Sequence, residues 1–233
     1  MVAGDNGSRG RIPSGVAVAI VLLLLAATAA AFVYTERQKL TRGVVTRPTA
    51  THFFSPACAC ETATAAVSFR LAEARTATVR VQRQNGRTVR TLASREPFPA
   101  GTVRLEWDGR TESGEVARDG SYRVVIDFAG EDTPFVFPQG MVVDTVAPTA
   151  TLVRSVPSPV SAGEAVIVTY ALSEPGRPIL SADGAEVLQG RRGMRGKLRW
   201  DAPPGTYELT IAALDLAGNV GPPSTPSVVV VQP

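Results

Sequence analysis

One histidine and two cysteines in 233 residues leave this chain few of the donors from which catalytic centres and metal sites are built. His52 alone cannot supply the paired imidazoles of a His-Glu-x-x-His zinc helix, and it lies far in sequence from any serine-rich elbow. A Gly-x-x-x-x-Gly-Lys-Ser/Thr phosphate loop is also missing. "GRRGMRG" at 190–196 has the glycines, but its spacing is wrong and no helix follows to receive a phosphate. Aromatics make up only 6% and charged residues 19%, and no stretch beyond residue 43 sustains a helical period. These shortages point away from an enzyme and away from an all-helical fold.

The charge balance excludes a further class. The formal excess is +3, from 24 basic and 21 acidic residues. Residues 1–47 hold six of the basic groups (Arg9, Arg11, Arg37, Lys39, Arg42, Arg47) and two of the acids (Asp5, Glu36), which leaves 18 and 19 for the rest. The body of the chain is not basic, so a nucleic-acid partner is not indicated. The cations flank an apolar run, as membrane-surface charge does.

That run is "GVAVAIVLLLLAATAAAFVY", residues 15–34, without a charged group. At 1.5 Å per residue twenty residues span about 30 Å, the thickness of a bilayer's hydrocarbon core. We read 1–14 as a short cytoplasmic tail and 15–42 as a transmembrane helix with its extension. A cleaved signal peptide, cut near Ala29, Ala30 and Ala31, is the alternative and would give a secreted protein. Two basic residues precede the span and four follow it, but long domains translocate largely regardless of flanking charge. Alanines four apart, Ala26 with Ala30 and Ala27 with Ala31, would let two such helices approach and form a homodimer.

What is abundant is turn chemistry, with 21 Gly and 18 Pro. After a tether over 43–60, the pattern alternates. Val67, Phe69 and Leu71 share one face, as do Val79 and Val81, which is the period of a half-buried strand. "QNGR" at 84–87 predicts a hairpin whose two central residues take positive φ. Strands of five to eight residues between glycine-rich turns continue to the C-terminus. "LEWDGR" at 105–110 is answered by "LRWDAP" at 198–203, and "DGSYRVVIDFAG" at 119–130 by "PGTYELTIAALD" at 204–215, roughly 90 positions on. The two halves are therefore tandem units, 61–145 and 146–233, with Trp107, Tyr122, Trp200 and Tyr207 as core residues.

The stretch 79–128, with its "NGR" turn, "RTL" strand, "WDG" and "DGSY", resembles the FlgD-type immunoglobulin-like domain. The second unit, from "DTVAPTATL" to "ALDLAGNVG", is similar to bacterial Ig-like repeats of surface proteins. The resemblance implies a mainly β fold of two tandem Ig-like antiparallel β-sandwiches, which follow the one N-terminal transmembrane helix read from the apolar run. It also implies domains lying outside the cytoplasm, and a non-enzymatic structural or protein-binding role in the bacterial cell envelope.

Three features are left as site candidates. Cys58 and Cys60 are separated by one alanine, so an extended strand would hold their Cα atoms about 6.6 Å apart, and a mutual disulfide needs a tight turn. An intramolecular bridge, a bridge between chains, free thiols of no special role, and a metal or redox site with His52 all stand open. Arg191, Arg192, Arg195, Lys197 and Arg199 form a cationic stretch suited to an anionic wall polymer. Asp108, Glu112, Glu115 and Asp119 offer oxygens for calcium, although turn chemistry accounts for them equally well and about six convergent oxygens are required. No cofactor is expected.

Overall fold

The computed structural model describes residues 23–29, 43–156, 158–161 and 163–233. Residues 23–29 are helical, and the rest of the proposed span and of its extension to residue 42 lies outside the described residues. Among the described residues no helix is long and apolar enough to cross a membrane. The remainder is mainly β, arranged around two separate apolar cores.

The first core lies between two sheets. One has the order β1 (Val45–Ala50), β3 (Ala65–Leu71), β6 (Gly101–Trp107). The other runs β2 (Phe53–Phe54), β9 (Met141–Val143), β7 (Gly120–Phe128), β4 (Arg75–Arg83), β5 (Thr88–Phe98), with β8 (Phe135–Val136) also paired to β7. Alternation explains the core: Val67, Phe69 and Leu71 are buried while Ala66 and Arg70 face out. Trp107 and Tyr122 fill its centre in an edge-on pair 5.0 Å apart.

The tether expected over 43–60 is a correction, because those residues belong to the first sandwich. β1 pairs antiparallel with β3, bringing Val45 opposite Leu71 and Ala50 opposite Val67, and β2 lies parallel to β9. Pro48, a residue type that ordinarily interrupts strands, sits where the register slips between Thr46 and Thr49 on an outer strand. A missing N–H is tolerated there.

The second core is enclosed by β10 (Ala150–Val156), β11 (Val166–Ala182), β12 (Ala185–Gln189), β13 (Gly193–Trp200), β14 (Gly205–Leu214) and β15 (Ser227–Val231). β11, at 17 residues, is longer than the strands of five to eight residues expected from the sequence. Its first half pairs with β10 and β13, and its second half, from Arg177, pairs with β12 and β14. One strand thus serves both layers, with the change of partner falling at Pro175 and Gly176.

The turn expected at Asn85–Gly86 also differs. Gly86 has φ +83°, but Asn85 is not among the residues with positive φ, and Arg83 N–H donates to the Arg87 carbonyl across a three-residue loop. The two-residue turn with both centres at positive φ occurs instead at Asp183 (+50°) and Gly184 (+81°), between β11 and β12.

Candidate functional site

The chain from Ser55 to Thr64 folds back through a series of turns, which brings the Cys58 and Cys60 Cα atoms to 5.3 Å and joins them in a disulfide. Both sulfurs are thereby committed. His52 Nδ1 donates to the Gly140 carbonyl at 2.9 Å, and its ring stands edge-on to Phe53. The His52, Cys58, Cys60 metal set therefore has no free thiolate in this state, and metal-ligand chemistry needs one. The loop is anchored beneath by Phe54, fully buried 5.3 Å from the Trp107 ring, and by Pro56. A Cβ at Gly109 would lie 2.6 Å from Pro56 Cβ, so only glycine lets the turn after Trp107 approach the loop.

The outer side of this loop meets the second sandwich. Thr62 Oγ1 donates to the Ala217 carbonyl at 2.5 Å, and the same oxygen touches Cys60 Sγ at 3.1 Å. The receiving turn, Asp215 to Asn219, is organised by one carboxylate. Asp215 Oδ1 accepts the N–H groups of Ala217, Gly218 and Asn219 at 2.8, 2.7 and 2.8 Å, and Oδ2 accepts Asn219 Nδ2. At its crest Gly218 has φ +96°, and a Cβ there would lie 2.6 Å from Cys60 Sγ and closer still to Thr62 Oγ1. The "AGN" glycine is thus fixed both by its backbone and by the loop pressed against it.

The connection between the sandwiches, residues 144–149, is tied on both sides. Asp119 Oδ1 accepts from Thr145 N–H and Oγ1 at 3.0 and 2.9 Å, which holds the connection to the first sandwich. From the second sandwich, Asn219 Nδ2 donates to the Asp144 carbonyl at 2.9 Å. Further along, Thr149 and Ser173 exchange two hydrogen bonds. Residues buried at the crossing, Asp215 and Asn219, are polar and satisfied.

Asp144, Glu174 and Asp215 converge at this junction, with carboxylate oxygens within 4.8 Å of one another. Burial raises the Asp144 carboxyl above its usual range, and repulsion from Asp215 and Asp119 adds to this. Burial likewise raises Glu174, with Asp144 and Asp215 contributing. Three oxygens are half of what a calcium ion usually takes. Asp144 and Asp215 lie in sequence motifs already noted, but nothing along the chain relates Glu174 to them, and only the fold makes the cluster.

The other candidates separate. Asp108 Oδ1 accepts Arg110 N–H, Glu112 accepts Thr91 N–H and Asp119 holds Thr145, so these acids serve their own turns and strands rather than one ion. A groove of about 520 Å³ beside them is lined by Arg83, Glu112, Arg118 and Tyr122 among others. Its Tyr122 hydroxyl donates to the Arg118 carbonyl and accepts from Arg83. Of the cations, Arg191 and Arg192 lie between β12 and β13, whereas Arg195, Lys197 and Arg199 are exposed on β13 itself. Trp107 and Tyr122 are buried, while Trp200 and Tyr207 are half-buried against the second core in the same edge-on pairing at 5.0 Å. The Tyr207 hydroxyl donates to the Pro203 carbonyl four residues upstream, as Tyr122 does to Arg118.

Several solved structures are similar at low identity. The fibronectin(III)-like modules of Clostridium thermocellum CbhA are 17% identical, with 81% of this chain and 93% of that one covered at a TM-score of 0.43. The human OSCAR ligand-binding domain is 16% identical, covering 78% and 97% at 0.40. The Bacteroides ovatus SGBP-B protein, solved with a mixed-linkage heptasaccharide, is 16% identical, covering 78% and 43% at 0.27. No curated protein matches. Residues 55–131 match the FlgD Ig-like domain.

Proposed function

We propose that the chain is a membrane-anchored, extracytoplasmic structural module of the bacterial cell envelope, in which two Ig-like sandwiches form a stiff unit that presents or spaces a protein partner. The observation that carries this reading is the junction. The disulfide-closed loop, the Asp215 turn and the short connection interlock through Thr62, Asn219 and Thr145, where a flexible linker would leave the domains free. A pair of domains locked in this manner transmits position, which suits a spacer or a docking arm. The second unit is read as an Ig-like repeat of the same design because its Trp200–Tyr207 pair repeats the Trp107–Tyr122 arrangement.

The anchor is supported by the uncharged run 15–34 and by Leu23, Leu24 and Leu25, which are 61–72% exposed on a helix that no described residue covers. A disulfide favours an oxidising compartment. The reading is non-enzymatic, and what supports it is the scarcity of catalytic donors, with one histidine in 233 residues. External protease applied to intact cells carrying a C-terminal tag tests the topology. Loss of the tag, with full-length protein confined to the membrane fraction beforehand, agrees with the reading. A tag protected until lysis, or a mature N-terminus beyond residue 31, overturns the anchored extracytoplasmic form.

A further inference from the structure

The register of the second sandwich places Arg195, Lys197 and Arg199 of the cationic stretch on one face. β13 is an outer strand, and Arg195, Lys197 and Arg199 occupy alternate positions on it, all exposed, while Leu198 between them is buried. They stand opposite Ala171, Thr169 and Ile167 of β11. On the far side of β11, Arg154 of β10 stands opposite Thr169, in the same row as Lys197. The outward row is therefore Arg154, Thr169, Lys197, flanked by Arg195 and Arg199, with Arg191 and Arg192 at the preceding turn. Asp201, just past the strand end, pairs with Arg199 at 2.9 Å, and the outward positions paired in these rows carry no acid. This one-signed patch lies on a body with 18 basic and 19 acidic residues beyond position 47, so it is a local concentration of charge and not a sample of the average.

We propose that this face binds a linear polyanion running along β13. Alternate residues on a strand repeat about every 6.7 Å, so Arg195, Lys197 and Arg199 present cations at the repeat of a polymer with one phosphate or carboxylate per short unit. Arg154 and Arg192 contact the same chain from its sides. An outer strand can be guarded against edge pairing by charges of either sign. Guarding alone does not explain why six cations gather with one acid at the margin. The inference does not depend on the membrane anchor, and it names a partner chemistry that the spacer reading leaves open.

The test uses the full chain in detergent micelles against three immobilised polymers: a glycerol-phosphate polymer, polygalacturonate and duplex DNA. Binding to one or both of the first two at about 50 mM salt is expected. Four to five contacts should make log K fall with log salt at a slope of roughly −3. The pair Arg195→Glu/Lys197→Glu should weaken binding at least tenfold, and Arg195→Gln/Lys197→Gln severalfold if the reversed pair does not fold. Arg104→Glu, at an exposed position of β6, should leave it unchanged. Relative retention on the phosphate and carboxylate polymers assigns the anionic group. No retention of the native chain, equal losses from Arg104→Glu, or preference for DNA would overturn the proposal.

Discussion

Replacing Gly218 with alanine probes the junction more sharply than any other change. Two terms oppose the new methyl. A non-glycine residue at φ +96° is strained by about 1–2 kcal/mol, since its Cβ crowds the backbone. The methyl must also displace Cys60 Sγ, 2.6 Å from the Cβ position, and Thr62 Oγ1, with loss of the hydrogen bond from Thr62 to Ala217. Displacing packed atoms and losing that bond adds about 1–2 kcal/mol. The sum is about 3 kcal/mol, a shift of roughly 1 to 2 M in the urea midpoint of the transition that includes the second sandwich. The same substitution in a chain with alanine at Cys58, Cys60 and Thr62 should retain only the backbone term. Urea melts of the four proteins form a cycle, and the coupling should be about 1–2 kcal/mol. An identical cost for Gly218→Ala in both backgrounds would refute the contact and reduce Gly218 to a requirement of its own turn.

Three further outcomes follow from the same geometry. Tyr122→Phe should cost about 1–2 kcal/mol in urea melts, since a buried ring loses its hydrogen bond to the Arg118 carbonyl. Tyr207→Phe, at a half-exposed site, should cost less than half as much. Asn219→Ala removes the donor to both Asp144 and Asp215 and should increase the radius of gyration in X-ray scattering, because the two sandwiches lose a tie across the connection. Because burial raises Asp144 and Glu174, their contribution to stability is full below the ordinary carboxylate range near pH 4 and is lost as pH rises through the folded values. Glu174→Gln should thus melt slightly higher than the parent at pH 7, by under about 1 kcal/mol at so accessible a site, and equally with it at pH 4.

The sandwich architecture was legible because strand alternation and turn residues are local signals. Val67, Phe69 and Leu71 alternate into the core as their spacing demands, and Trp107 and Tyr122 meet edge-on at its centre. Errors arose where one local signal had two physical readings. Pro48 reads as a breaker, yet an outer strand with a slipped register accepts it. Pro175 and Gly176 are turn formers by type, yet they lie inside one long strand that changes sheets. An Asn-Gly pair is compatible with a two-residue or a three-residue turn, and closure by Arg83 and Arg87 selected the latter. The junction was the least legible part. Thr62 meets Ala217 across 155 positions and Glu174 meets Asp144 and Asp215 only in space, so no periodicity or motif could have paired them.

The junction also explains why a Cys-x-Cys loop and an Asp-turn-Asn loop occur in one chain. Each is stiff on its own: the first is closed by a covalent bond, and the second by a carboxylate that gathers three N–H groups. Stiff loops lose little further freedom when they dock, so even the single hydrogen bond from Thr62 and the close approach at Gly218 suffice to favour contact. Against this stands the repulsion of three carboxylates at the same crossing. The balance is between short-range contacts, which do not respond to pH, and a charge term, which does. Short-range contacts therefore hold the junction closed, and protonation of Asp144 and Glu174 would relieve the repulsion that opposes them.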